Sequence, residues 1–450
     1  MKNSITLSVL FVSFIILFGC KKSNEKLELP KFDYATTKDV NINLKYLSAD
    51  NKPLKYVLVN FYYPGSKNSS DPVYKALTDS NGVLKGNFAA PAYKTAIIVD
   101  LKYPGISRNT GLLLQDNAIN ATFKAVAGTS TSSIHAKTLG VDSDGDGVED
   151  AFDEFPNDVK RAYTKYYPSK NTWGTLVFED NWPNKGDYDM NDLVVNYNYA
   201  IVCDYRGWYV EMDCNYKVLA AGATYSNGFG VNLPYTTLFT GGSPVIKSVT
   251  GQKLTENYVR LGPAGFDENG INIFPFDNHR SLFNGNTGMI NTVKGSAKLV
   301  GDPVTVKLAF VNPASPTMYN GRYNTSRVGF TLWDVPFNPF LMRNMESKHE
   351  IHQIGYGPSS SAKPYIFSFY GAGDDASVPQ LYSEFPSDLY RTKDGGKPWV
   401  LNFAEGFDYP TEYSSISKAY LHYDEWRAGL GYADWYLDKP GYRDSNLIYR

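Results

Sequence analysis

Residues 141–158 read VDSDGDGVEDAFDEFPND, and eight of these eighteen side chains are carboxylates while none is basic. Two like charges ~5 Å apart in water repel by ~0.8 kcal/mol, so a compact loop of this kind needs a neutralising cation or must stay solvated. The spacing favours a cation. Asp142, Asp144, Asp146, Asp150 and Asp153 fall at positions 1, 3, 5, 9 and 12 of a twelve-residue loop, with Gly147 at position 6 and Val148 at position 7. That is the ligand order of a calcium loop, in which the residue at position 7 contributes its main-chain carbonyl and the glycine allows the sharp turn. Glu149 stands where such loops carry an apolar residue, and Asp153 stands where they carry Glu. No amphipathic helix flanks the loop, which argues against an EF-hand.

A second acidic stretch is FEDNWPNKGDYDMNDLVV, residues 178–195. Asp187, Asp189 and Asn191 alternate, so an extended backbone would point their oxygens to one side. Asp192 would face the other way. Glu179 and Asp180 end the preceding strand, and the connecting loop could bring either of them to that row. A second calcium site is expected here. Two other readings stay open at this point: a polar hairpin end built on Asx turns, and a carboxylate pair performing acid–base hydrolysis, which would need one raised pKa.

The elements that must hold these residues are strands. Tyrosine is abundant, 35 against 7 Met, and alternating or apolar runs such as VNINLKYL, YVLVNFYYPG and KTAIIVDLKYPG fill the first part of the chain. The fold class expected is mostly β: a β-sandwich, then the calcium loop, then a larger β-rich region with a few short helices. Residues 31–125 form the sandwich, with a hairpin turn at Asn81-Gly82. Residues 126–140 are a small, polar linker. The acidic loop and its domain occupy 141–230, and a β-rich domain occupies 231–450. Near its end, Ile416, Ala419, Tyr420, Tyr423 and Trp426 are spaced as one helical face, with Ser414 or Ser415 at the N-cap. If DYRG (204–207) is a hairpin turn, Cys203 faces Trp208 and Cys214 faces Tyr197, a register that opposes a disulfide.

The N-terminus sets the compartment. Lys2 precedes an apolar run from Ile5 to Phe18, too short to span a bilayer and shaped as a secretory signal. Its ending LFGC resembles a bacterial lipobox. That resemblance implies a signal peptide of residues 1–20, a lipid on the thiol of Cys20, and a polar tether over 21–30. The membrane partner would be reached through that lipid, in the cell envelope and on the outer membrane, with the surface and periplasmic faces both open. A net charge of −2 gives no field that would attract nucleic acid.

The pattern D-x-D-G-D-G-x-x-D looks like the calcium loops of thrombospondin type 3 repeats, which need no flanking helices. More broadly, DSDGDGVEDAFDEFPNDVKRAY, YYPSKNTWGTLVFEDNWPNKGDYDMNDLVVNY and YSNGFGVNLP resemble the LruC-domain family of bacterial lipoproteins. The phrases NPFLMRNMESKHEIH, KPWVLNFAEGFDYPTE and ADWYLDKPGYR resemble the domain of unknown function that often follows in that family. Together they cover about residues 140–450. The resemblance implies an exported, lipid-anchored protein and names no reaction. No nucleophile elbow, phosphate loop, dinucleotide fingerprint or HExxH motif occurs. His349 and His352 read as structural, and Trp182, Tyr188, Trp399 and Trp435 read as packing rather than sugar platforms. The expected function is a calcium-stabilised, non-enzymatic binding or adhesion module for a glycan or a surface protein. The alternatives are a glycan hydrolase using the 179–192 carboxylates and a structural subunit of a surface assembly. No catalytic residue is assigned.

Overall fold

Side-chain alternation dictates the first strand. In β1 (Thr37–Leu47), Val40, Ile42, Leu44 and Tyr46 are buried while Asn41, Asn43 and Lys45 face water. Each such apolar side chain contributes ~1.5–3 kcal/mol on burial, which fixes which face turns inward. The computed structural model describes residues 32, 34–65, 71–127, 140–222, 224–233, 239–240, 243–244, 246–269, 271–314, 331–332, 335–354, 356–377, 389–393 and 396–450. Cys20, the 21–30 tether and residues 128–139 of the expected linker lie outside the described residues. Asp33–Arg450 forms one compact unit.

After β1 come β2 (Leu58–Tyr62), β3 (Tyr74–Leu77), β4 (Val83–Pro91), β5 (Ala96–Leu101), β6 (Thr110–Leu113) and β7 (Ala118–Lys124). They make a three-stranded sheet, β4-β1-β7, and a four-stranded sheet, β3-β2-β5-β6. The ring of Tyr74 on β3 stacks on Phe88 of β4 at 5.3 Å, so the two sheets share a core. The Asn81-Gly82 turn is present, but it does not close a hairpin. Asp79 Oδ1 accepts the N–H groups of Asn81 and Val83 and turns the chain from one sheet into the other.

The larger part is built on a seven-stranded antiparallel sheet. Its members are β8 (Tyr163–Tyr167), β9 (Gly174–Phe178), β10 (Leu193–Cys203), β11 (Tyr209–Ala220), and, after β12 (Gly228–Asn232), β13 (Phe239–Thr240) and β14 (Ser243–Pro244), the strand β15 (Ile246–Thr250). The sheet is completed by β17 (Val304–Ala314), which follows β16 (Asn272–Phe276), and by β22 (Val400–Phe403), which follows β18 (Thr331–Leu332), β19 (Val335–Pro336), β20 (Asn338–Met342) and β21 (Glu350–His352). The order is β15-β17-β11-β10-β9-β22, with β8 also paired to β10. A second sheet, β16-β12-β20-β21, lies against it: Phe229 of β12 meets Phe178 of β9 at 6.1 Å and Tyr216 of β11 at 5.4 Å. Among the described residues the α-helices are few and short: α1 (Lys363–Ile366), α2 (Ile416–Ala419) and α3 (Tyr423–Arg427). The mostly β class is what the sequence implies.

Three local expectations need correction. Cys203 faces Tyr209 and Cys214 faces Tyr199, because the turn pairs Asp204 with Trp208 and a bulge between Val202 and Cys203 then moves β10 against β11 by one further residue. Both cysteines are free and buried. The expected single helix near the end is two. Tyr420 leaves the helix with φ −120° and ψ 106°, and its hydroxyl donates to the Asp408 carbonyl. Ser415 makes no side-chain cap. The five residues of the apolar face are nonetheless all buried.

Candidate metal centres

The first acidic loop follows the order of its side chains. Asp142 accepts the N–H groups of Gly145 at 2.8 Å and Gly147 at 3.0 Å. Asp144 Oδ1 accepts the Asp146 N–H, Asp146 Oδ1 accepts the Val148 N–H, and Asp153 Oδ1 accepts the Phe155 N–H. Gly147 has φ +99°, a conformation that costs other residues ~1–2 kcal/mol. Each of Asp144, Asp146 and Asp153 thus commits one oxygen to the backbone, and the other, Oδ2, is buried without a partner. Glu149 Oε2 is buried and unpartnered as well. The sequence treats Glu149 as a departure from the loop pattern, yet the structure turns one of its oxygens inward. Oxygens of Asp142, Asp144 and Asp146 lie within 4.8 Å of one another. Asp150 is used differently: both its oxygens are taken by the N–H and hydroxyl of Ser143.

The loop is fastened from beneath by its apolar residues. Val148 is fully buried, and Phe152 is buried and stacks on Tyr103 at 6.4 Å. Desolvation, followed by the neighbouring carboxylates, pushes Asp146 up to about 6 and Asp153 up to about 7. Groups in this state attract a positive charge, either a proton or a metal ion.

The second cluster sits in the loop joining β9 to β10. Glu179, Asp187 and Asp189 place oxygens within 4.8 Å of one another. Glu179 and Asp189 are fully buried, and Asp187 is exposed. The stretch is not the extended row that its alternation suggests: Tyr188 and Met190 have φ of +57° and +58°. Glu179 stabilises this bend by accepting the N–H groups of both residues. Asp180 and Asp192 are not among the three grouped acids. The Asp180 N–H donates to Asp192 Oδ2, and Asp180 Oδ2 accepts from Asn227 Nδ2. Burial, with their mutual repulsion, raises the pKa of Glu179, Asp189 and Asp192.

One nearby residue escapes the sequence reading. Segment 410–416 runs along the 188–191 bend: Asn191 Nδ2 donates to the Pro410 carbonyl, the Tyr413 N–H donates to Asp189 Oδ2, and the Ile416 N–H donates to the Tyr188 carbonyl. Glu412 therefore arrives beside the cluster, and its Oε2 is buried without a partner. Burial, then Asp187 and Asp180, push it up to about 7. Glu412 ends the phrase KPWVLNFAEGFDYPTE but stands in no ligand spacing, so only the fold ties it to the cluster.

The other candidate residues are structural in placement. His349 Nε2 lies 3.1 Å from the Trp182 carbonyl, while His352 lies between Asn338 Oδ1 and Glu350 Oε2. Trp182, Tyr188, Trp399 and Trp435 are all buried. Among the described residues, no helix is long and apolar enough to cross a membrane.

Comparison with known proteins adds a family. The model of a domain of unknown function, DUF4842, matches residues 209–436, just over half of the chain. The chain belongs to the DUF4842 family. The matched region contains Glu412 and begins after both acidic loops. A second domain of unknown function, DUF8469, matches residues 38–123, the span of the first seven strands. Among solved structures, a Bacteroides ovatus protein described as a "putative lipoprotein" aligns over 88% of this chain and 99% of its own, with TM-score 0.51 and 16% identity. At that identity the likeness is one of fold. The major pilin SpaD of Corynebacterium diphtheriae aligns over 70% of this chain and 65% of its own, at TM-score 0.14 and 8% identity, and carries no argument. No curated protein matches the DUF4842 chain.

Proposed function

We propose that this DUF4842 protein is a calcium-stabilised, lipid-anchored protein of the bacterial cell envelope that acts as a non-enzymatic binding or adhesion module. The observation that carries the reading is the set of buried carboxylate oxygens without donors on Asp144, Asp146, Glu149, Asp153 and Glu412. Leaving a buried acceptor unsatisfied costs ~1–3 kcal/mol, and more when it is charged, so these oxygens call for a cation. Calcium suits them because it takes six to eight oxygens in flexible geometry, whereas magnesium demands a near-ideal octahedron. In the second cluster three carboxylates, not two, bring oxygens within 4.8 Å of one another, a gathering of negative oxygens that suits a hard cation.

The LFGC sequence supports lipidation at Cys20 and an outer-membrane location, and the phrases in 140–450 support an LruC-type lipoprotein. The ligand would be a glycan or a neighbouring surface protein. Calorimetric melting in calcium and in EDTA tests the central claim. One ion at tenfold over its Kd adds ~1.4 kcal/mol, so the midpoint should fall on chelation. Equal midpoints would sink the calcium reading. Cys20→Ala should move the protein from the membrane fraction to the soluble one, and retention on the membrane would remove the anchor.

A further inference from the structure

The second cluster differs from a mere gathering of acids in one respect. Asn191 is fully buried, and its Oδ1 has no partner. Its amide orientation is fixed because Nδ2 donates to the Pro410 carbonyl at 3.1 Å, which leaves Oδ1 as the outward acceptor. Gly222 reports where that oxygen points. A Cβ on Gly222 would stand 2.0 Å from Asn191 Oδ1 and 2.4 Å from Glu412 Oε2. The two orphaned oxygens therefore converge on one spot, which is kept open by the absence of a side chain. The Gly222 N–H is held there by the Asn191 carbonyl at 2.9 Å. Asp189 borders the same place: its Oδ1 accepts the Asn191 N–H, and its Oδ2 accepts the N–H of Tyr413, the residue after Glu412.

We propose that Glu412 Oε2 and Asn191 Oδ1 join Glu179, Asp187 and Asp189 as ligands of the second cation, so that this ion clasps segment 410–416 to the β9–β10 loop. The inference rests on the calcium reading of the second cluster and assigns it a ligand and a mechanical role. With Glu412 included, four carboxylates and one amide oxygen face the ion, close to the number calcium requires. The ion closes a loop of more than two hundred residues. Fastening contacts that distant removes much conformational freedom from the open state. The first site acts only within its own twelve residues and carries no such closure.

The test uses the full chain in detergent, with calcium as the probe. Asp146→Asn is introduced first to weaken the loop at 142–153, and the remaining binding is titrated calorimetrically. Adding Glu412→Gln should weaken that remaining binding at least about tenfold, since affinity follows the charge of the ligand set. Limited proteolysis gives the second readout: the Asp146→Asn chain should be cut near 410–416 in EDTA and protected in calcium, and the Glu412→Gln chain should be cut in both. Glu412→Asp, which keeps the charge, should restore protection in part and guards against a folding defect. Unchanged affinity and unchanged protection in a folded Glu412→Gln chain would overturn the clasp while leaving the calcium reading intact. Absence of calcium binding by the unmutated chain would overturn both.

Discussion

The two acidic regions solve one electrostatic problem by different means. The 142–153 loop draws all its oxygens from one short stretch and seats itself with two apolar side chains, Val148 and Phe152. The 179–192 loop builds a left-handed bend at Tyr188 and Met190 around a buried Glu179, then borrows space from Gly222 and an acid from segment 410–416. The first is a local device that could sit on many folds. The second exists only when the central sheet and the C-terminal segment are already together. Sites of the first kind announce themselves by spacing; sites of the second kind depend on tertiary structure for both their shape and their ligands.

Glycine substitutions probe this contrast most severely. Gly222→Val should cost ~3 kcal/mol or more and abolish binding at the second cluster, because the new side chain must displace Asn191 and Glu412 oxygens. In the first loop, Gly147→Ala meets no atom nearer than 4.0 Å and should cost only the ~1–2 kcal/mol of its positive φ. Urea denaturation in calcium measures both, and equal costs would erase the distinction. Phe152→Ala comes next, at ~3 kcal/mol from the cavity it leaves. Calcium titration of that variant should show weakening at the first loop alone; weakening at both would mean the sites are coupled.

A pH series sharpens the comparison further. Behind the second cluster, Asn227 donates its side-chain N–H to Asp180 and its main-chain N–H to the ring of His279. Burial, with the adjacent Arg280 guanidinium, pushes that imidazole down to about 4 from an ordinary 6.5. Above pH 6.5 the ring is neutral in both folded and unfolded chains and the term vanishes. Between 6.5 and 4 the unfolded chain takes up the proton first, so the contribution of His279 to stability should fall as pH falls, by on the order of 3 kcal/mol in total. In EDTA the raised carboxylates of Asp146, Asp153 and Glu412 give both chains an opposite slope, so urea melts must read the difference between the natural chain and His279→Gln, which should move against the natural chain as pH falls through that window. The smallest effect is expected at Tyr413, three-quarters exposed: Tyr413→Ala should change stability by less than ~0.5 kcal/mol, because its link to Asp189 is through the main chain.

Much of the fold is legible in the chain because alternation and turn chemistry are local. Thr37–Leu47 shows its inward face in the order of its residues, and the apolar face of 416–426 is correct even though the helix breaks. What escapes is decided by partners elsewhere. The Asn81-Gly82 turn looks like a hairpin because nothing nearby says that its two strands belong to different sheets. The turn after Cys203 and the bulge before it each move the register by one residue, and spacing alone shows neither. The alternation of Asp187, Asp189 and Asn191 suggests an extended row, and the amides gathered by Glu179 bend it instead. Glu412 shows no ligand spacing because the acids it lies beside stand more than two hundred positions earlier.

The pairing of β22 with β9, Val400 against Phe178, has a consequence for how the molecule is made. When a growing chain has finished β9, β10 and β11, one side of β9 still shows bare hydrogen-bonding groups, and the strand that covers them has yet to be synthesised. Such an uncovered border invites other strands to attach. That border stays uncovered until nearly nine-tenths of the length exists, and folding that depends on such distant contacts is intrinsically slow.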